Sequence, residues 1–210
     1  MADVSFENRV VIVTGAGNGL GKAYALELGK RGAKVVVNDL GGAVDGSGSG
    51  NSPADDVVNE IIENGGEAVA NYDSVATKDG GESIVQTAVD SFGTVDAVIN
   101  NAGILRDKSF ANMTEEEFSL IIEVHLKGTY FVTQPAFKIM KENNYGRIVN
   151  VASPSGLFGN FGQTNYGAAK MGIVGLTNVL AIEGAKYNIK VNVIAPTCLL
   201  YTSPSPRDGW

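Results

Sequence analysis

Cysteine and histidine are almost missing from this sequence, which holds one of each, Cys198 and His125, in 210 residues. A lone cysteine cannot close an internal disulfide, and one cysteine with one histidine falls short of a structural zinc site. No apolar run reaches the roughly 18 residues that suggest a membrane-spanning helix. The start, Met1-Ala2-Asp3-Val4, lacks the basic stretch and apolar core of a secretory signal. Basic residues are also in deficit, 16 Lys and Arg against 23 Asp and Glu for a net charge of −7. That balance disfavours nonspecific binding to nucleic acid or to an anionic lipid surface. The expectation is a soluble intracellular protein without nucleic-acid partner, membrane insertion or bound metal. What the chain has in quantity is glycine, 27 residues, and 44% hydrophobic residues, enough to bury the core of one domain.

Apolar, β-branched runs at 9–14, 34–39, 67–72, 95–99, 146–152 and 189–194 read as strands, and the segments between them carry helical periodicity. Helices are expected after residue 21, from Pro53 to Gly65, over 78–92 and from Tyr166 to about Tyr187. Thr114, with Glu117 three residues on, predicts a capping box. It would open a long helix that carries His125 and is kinked or split near Thr133 by Pro135. Gly41 to Ser52 is rich in glycine and serine and reads as a surface loop, because neither side of it holds a complete domain. Strand and helix alternating at this spacing specify an α/β fold, a doubly wound parallel sheet with right-handed crossovers.

Such sheets bind ligands at the carboxyl ends of their strands, and the polar residues gather there. Gly15-Ala16-Gly17-Asn18-Gly19-Leu20-Gly21 follows the first strand and opens the first helix. Glycines let the backbone approach a pyrophosphate whose charge sits at the helix N-terminus. The spacing is Gly-x-x-x-Gly-x-Gly rather than Gly-x-Gly-x-x-Gly, and a tight turn is the plainer reading. Asp39, at the end of the second strand, suits the hydroxyls of an adenosine ribose and would repel a 2′-phosphate, so NAD is favoured over NADP. Alternatively it is simply the first polar residue after a buried strand. Asp73 and Ser74 can reach an adenine edge. Asn101, Ala102 and Gly103 let a cofactor lie against the backbone, or merely turn the chain.

Tyr166 and Lys170 lie four residues apart in the last long helix, so their polar heads share a face. A lysine ammonium held beside the phenol, together with the positive ring of an oxidised nicotinamide, would lower its pKa and make Tyr166 a usable general base. Ser153 follows the strand at 146–152, where its hydroxyl can bind a carbonyl or alcohol oxygen, although Ser153-Pro154-Ser155-Gly156 is also good turn chemistry. Leu157, Phe158 and Phe161 either line a substrate mouth or seal the core.

Together the glycine loop, Asn100-Asn101-Ala102-Gly103, Ser153 and Tyr166-Gly167-Ala168-Ala169-Lys170 resemble the short-chain dehydrogenase/reductase family over residues 6–197. The stretches AYALELGKRGAKVVVNDLGG, AVANYDSV, NNAGILRDKSFA, YGRIV and GLFGNFGQTNYGAAK are similar to the (3R)-hydroxyacyl-CoA dehydrogenases of peroxisomal β-oxidation. The resemblance implies NAD as cofactor, an acyl-CoA substrate, a peroxisomal setting and a homodimer or homotetramer. It implies Tyr166 as base, Ser153 as the group holding the substrate oxygen, and Lys170 as the ligand of the nicotinamide ribose. The family usually has asparagine where His125 stands, completing a catalytic tetrad, while these dehydrogenases have histidine. A proton relay and a satisfied helix residue are both open for it. The resemblance further implies a seventh strand, so the single domain is expected to lack its C-terminal strand. From Cys198 onward the sequence resembles the translation of a transposase adapter used in sequencing libraries, so 198–210 is expected to be a non-native tail on a domain ending near Thr197. The alternatives are an NADPH-dependent ketoacyl-acyl-carrier-protein, carbonyl or steroid reductase, and a non-catalytic dinucleotide-binding fragment.

Overall fold

The computed structural model describes residues 4–43, 45–48 and 52–197, and the expected non-native tail lies outside them. Six strands, β1 Val10–Thr14, β2 Lys34–Asn38, β3 Glu67–Asn71, β4 Ala97–Asn100, β5 Gly146–Val151 and β6 Ile189–Ile194, form one sheet in the order β3-β2-β1-β4-β5-β6. Every neighbouring pair is parallel, so the fold is the doubly wound α/β sheet anticipated above. Strand order reverses between β1 and β4, which makes their carboxyl ends the switch point where such folds bind ligands.

Over the central strands both sheet faces are covered, which is why β1 and β2 read as continuous apolar runs, whereas the edge strand β6 alternates buried and exposed residues. Val11, Val13, Val35 and Val37 pack with Ala25 of α1 (Gly19–Lys30) and with Val57 and Ile61 of α2 (Ser52–Glu63). Ile12, Val36, Val98 and Ile148 pack on the other side with Ile84 of α3 (Lys78–Phe92) and Val132 of α5 (Gly128–Glu142). At the carboxyl edge this second face turns polar. Thr14, Asn38, Asn71, Asn100 and Asn150 are each at most 5% exposed. Asn38 Nδ2 donates to Asn71 Oδ1 at 2.8 Å, and Asn100 Nδ2 donates to Asn150 Oδ1 and to Thr133 Oγ1, both at 2.8 Å. Asn150 Nδ2 in turn donates to Thr177 Oγ1 of α7 (Thr164–Gly184) at 2.8 Å. A buried amide is costly unless paired, so this row fixes α5 and α7 against the strand ends.

The long helix departs from expectation. The capping box is present, with Thr114 and Glu117 opening α4 (Glu115–Ile121). The regular helix is interrupted by a π-helical stretch at Ile122–Lys127 and not at Pro135, which sits inside an unbroken α5. Proline leaves the carbonyl four residues earlier without its N–H partner. That carbonyl, of Phe131, faces α3, where a Cβ built on Gly81 would stand 2.5 Å from the oxygen. The freed group thus lies against a helix that approaches closely only because residue 81 is glycine.

Replacing Gly81 with alanine is expected to destabilise the fold by about 1–3 kcal/mol, the usual cost of overpacking. The same change at Gly175, an exposed helical position where an added Cβ meets nothing within 4 Å, is expected to be neutral or stabilising by up to about 1 kcal/mol. Urea midpoints of the two variants check the contrast.

Candidate active site

The glycine loop joins β1 to α1. Asn18 caps the helix with its backbone alone: no side-chain hydrogen bond reaches the first turn, and that turn has no acidic residue. The first-turn N–H groups therefore face outward with the positive end of the helix dipole, the arrangement that receives an anion. Gly15 and Gly19 take φ of +62° and +56°. A Cβ on Gly21 would stand 2.0 Å from the Gly15 oxygen, so loop and helix can touch only without a side chain there.

Asp39 holds this loop in place. Its Oδ2 accepts from the Gly17 amide and its Oδ1 from the Gly41 amide, each at 2.7 Å. Each oxygen keeps a further lone pair for a ligand hydroxyl. Asn101 braces the loop from β4, donating from Nδ2 to the carbonyls of Thr14 at 3.1 Å and Gly15 at 3.0 Å. Ala102 donates its amide to Thr14 Oγ1 at 3.1 Å. Asp73 Oδ2 accepts from Asn71 and Ser83 and so ties the end of β3 to α3, while Ser74 Oγ accepts from the Ala76 amide within the connecting loop. An uncapped helix start, a glycine-rich loop and a carboxylate at the end of β2 fit a dinucleotide. Residues 41–43 and 45–48 of the expected loop are free of helix and strand, and Ser52 already begins α2. Asp45 lies 3.7 Å from Arg106, and a Cβ on Gly46 would be 2.8 Å from Ile104. Residues 45 and 46 thus reach the chain that follows β4.

Across the switch point, β5 and α7 bring Ser153, Tyr166 and Lys170 together. Ser153 caps the short helix α6 (Pro154–Phe158), its Oγ accepting from the Ser155 amide at 3.2 Å, so the expected turn is a helix start. Its hydroxyl stands close enough to the Tyr166 phenol to favour the ionised form. Lys170 is 3% exposed, and its Nζ donates to the Val151 carbonyl at 2.6 Å while standing 5.4 Å from the centre of the Tyr166 ring. Burial pushes its pKa from 10.5 down to about 7. The Tyr166 phenol is also raised, by burial first, with the Ser153 bond opposing and the Asp107 carboxylate adding to the rise. The expected lowering also invokes the charge of a bound nicotinamide; in the chain by itself the phenol stays above its ordinary value. Desolvation disfavours the charged form of both members.

His125 lies in the π-helical stretch at 2% exposure. Its ring meets Tyr166 edge-on at 5.1 Å, and a Cβ on Gly103 would fall 2.3 Å from its Cε1. Nε2 is 2.8 Å from the carbonyl oxygen of Ile104 and 3.1 Å from its amide nitrogen, while Nδ1 has no partner among the described residues. Burial, helped by Lys170, lowers its pKa to about 3. It is a neutral ring wedged between Gly103 and Tyr166. Phe158 and Phe161 are 85% and 83% exposed, so they do not seal the core.

The family described as short chain dehydrogenase matches residues 9–205. The chain belongs to that family. It is 61% identical over 194 residues to the peroxisomal hydratase-dehydrogenase-epimerase of Saccharomyces cerevisiae, covering 92% of this chain and 21% of the relative. The full-length structure of peroxisomal multifunctional enzyme type 2 from Drosophila melanogaster superposes with a TM-score of 0.78 at 47% identity, over 94% of this chain and 32% of that one. An NAD+-bound xylitol dehydrogenase superposes with a TM-score of 0.85 at 30% identity, over 92% of this chain and 71% of that one. The chain thus spans about a fifth to a third of the two peroxisomal relatives.

Two features of this dehydrogenase site escaped the sequence reading. The Val151 carbonyl that receives Lys170 is backbone, and no residue type announces it. Asn165, fully buried beside Tyr166, was hidden by the stronger signal of its neighbour.

The ionisation of His125 gives a stability prediction. Its ring stays neutral in the fold down to about pH 3 but protonates near 6.5 once exposed. Its contribution is complete above pH 6.5 and lost as pH falls towards 3, at up to about 1.4 kcal/mol per pH unit. Between pH 7 and 4 the wild type is expected to lose more of its urea midpoint than His125→Asn. Equal losses would contradict the assignment.

Proposed function

We propose that this chain is an NAD-dependent dehydrogenase that oxidises (3R)-hydroxyacyl-CoA to 3-ketoacyl-CoA in peroxisomal fatty-acid β-oxidation, acting as a homodimer or homotetramer. The observation that carries this reading is the meeting of Ser153, Tyr166 and Lys170 at the carboxyl end of β5, across the switch point from the glycine loop. Ser153 binds the C3 oxygen of the substrate, and Tyr166 takes the hydroxyl proton. The C3–H bond breaks with its electron pair, so the C–O bond becomes a carbonyl. Bound NAD supplies the hydride acceptor and a positive ring charge near the phenol.

Gly15, Asn18, Gly19, Leu20 and Gly21 would hold the pyrophosphate, Asp39 the adenosine ribose, Asp73 and Ser74 the adenine edge, and Asn101, Ala102 and Gly103 the nicotinamide side. Lys170 would turn from the Val151 carbonyl towards the nicotinamide ribose. The negative charge of Asp39, fixed by two backbone amides, supports NAD over NADP. The xylitol dehydrogenase neighbour is NAD+-bound, and the names of the peroxisomal relatives support the substrate class and the compartment. His125, neutral and packed on Tyr166, fits a role in holding the phenol and the Ile104 loop together.

In the full-length protein, NAD-linked oxidation of a (3R)-hydroxyacyl-CoA is expected, with little activity on the (3S) isomer or with NADP. Tyr166→Phe is expected to lower kcat by about 10²–10⁴-fold and to leave NAD binding, followed by fluorescence, within about twofold. Preference for NADP would remove the cofactor assignment, and undiminished turnover in the variant would remove the role of Tyr166.

A further inference from the structure

Helix α7 begins without a conventional cap, because Gln163 at the capping position makes no side-chain hydrogen bond to the first turn. The first-turn amide of Tyr166 would ordinarily lack a partner. Asn165 supplies one from inside the turn: its Oδ1 accepts from the Tyr166 amide at 2.7 Å. Its Nδ2 donates to two carbonyls from other parts of the chain, Arg106 in the loop after β4 and Glu117 in the first turn of α4, each at 3.0 Å. The side chain is 0% exposed, so both N–H groups and the carbonyl are used with no water in reach. A carboxamide alone has this set of two donors and an acceptor.

The same segments are joined at other points. The Lys108 amide donates to the Gly162 carbonyl at 2.8 Å, Gln163 Nε2 donates to Asp107 Oδ2 at 2.8 Å, and Lys108 lies 3.5 Å from Glu117. Residues 106–108 therefore form a splint along the entry to α7. Its innermost tie is the amide next to Tyr166, whose phenol must also meet Ser153 and the His125 ring.

We infer that Asn165 is a positioning residue for the reaction assigned to Tyr166: by joining the loop after β4, the first turn of α4 and the first turn of α7, it sets where the phenol stands relative to Ser153. This rests on the proposed role of Tyr166 in proton transfer. A small displacement of a proton-transfer group costs rate far more than binding, so loosening this tie acts on kcat and spares the cofactor.

The test uses Asn165→Ala, Asn165→Asp and Gln163→Ala in the full chain. In the cofactor-free protein, amide hydrogen exchange at Tyr166 is expected to accelerate at least tenfold in Asn165→Ala, with exchange at Ile148 and Val149 in β5 unchanged. With NAD and a (3R)-hydroxyacyl-CoA, kcat is expected to fall by roughly 10- to 100-fold while KM and the NAD dissociation constant stay within about twofold. Asn165→Asp keeps the acceptor for the Tyr166 amide but loses both donors, so exchange there returns towards wild type while kcat stays low. The inference is overturned if Asn165→Ala keeps kcat within twofold of wild type. It is also overturned if NAD binding or β5 protection falls in parallel with kcat. Should Asn165→Ala fail to fold, Gln163→Ala decides: a several-fold loss of kcat at unchanged NAD affinity supports the splint, and unchanged kcat rejects it. A wild type that turns over no hydroxyacyl-CoA would count against the proposed function, whereas the exchange rates judge the Asn165 tie without any substrate.

Discussion

The hydrogen bond from Lys170 to the Val151 carbonyl is the contact around which this site is built. It draws an ammonium group into the interior, where the loss of water lowers the group's proton affinity. One carbonyl at the end of β5 thereby sets the height of α7 against the sheet, and with it the position of Tyr166 one turn earlier. The buried amides of Asn100 and Asn150 reinforce the arrangement from below, since Asn150 reaches Thr177 further along the same helix. Sheet end, helix and the Tyr166–Lys170 pair form one connected unit.

This unit stands across the switch point from a second one. There the glycine loop, Asp39 and Asn101 hold each other through backbone amides and carbonyls, leaving the start of α1 free for an anion. The two halves meet through the chain after β4. Asn101 braces the glycine loop, Gly103 lies beneath the His125 ring, Ile104 bonds to that ring, and Arg106 receives Asn165. The stretch from Asn101 to Arg106 thus touches both the glycine loop and the surroundings of Tyr166 in a short-chain dehydrogenase fold.

The architecture was largely legible because the doubly buried strands β1 and β2 write themselves as valine and isoleucine runs, the other strands carry enough β-branched residues to be found, and the helices between them carry clear periodicity. Gly15 to Gly21, Asp39, Ser153, Tyr166 and Lys170 were legible for a related reason: their chemistry is local and their spacing is fixed by one strand or one helical turn. What could not be read depends on contacts between distant segments. Pro135 was expected to break a helix, but Gly81, more than fifty residues away, makes room for the carbonyl it frees. The burial of the Tyr166–Lys170 pair was not legible either, because spacing reveals proximity but not burial, and burial raises the phenol and lowers the lysine. Asn165 went unnoticed since an amide before a tyrosine has no meaning until Arg106 and Glu117 are seen beside it.

A phenol held neutral by burial and a lysine with its pKa near 7 describe a site that needs a further positive charge before Tyr166 can act as a base. The most direct measurement is the titration of Tyr166 in protein carrying 13C at the tyrosine Cζ, its signal assigned by its absence in Tyr166→Phe, without and with saturating NAD. The expected result is a midpoint above the ordinary value of about 10 for the free protein and a clear fall when NAD is bound. A midpoint already below 10 in the free protein, or one that NAD leaves in place, would contradict the account.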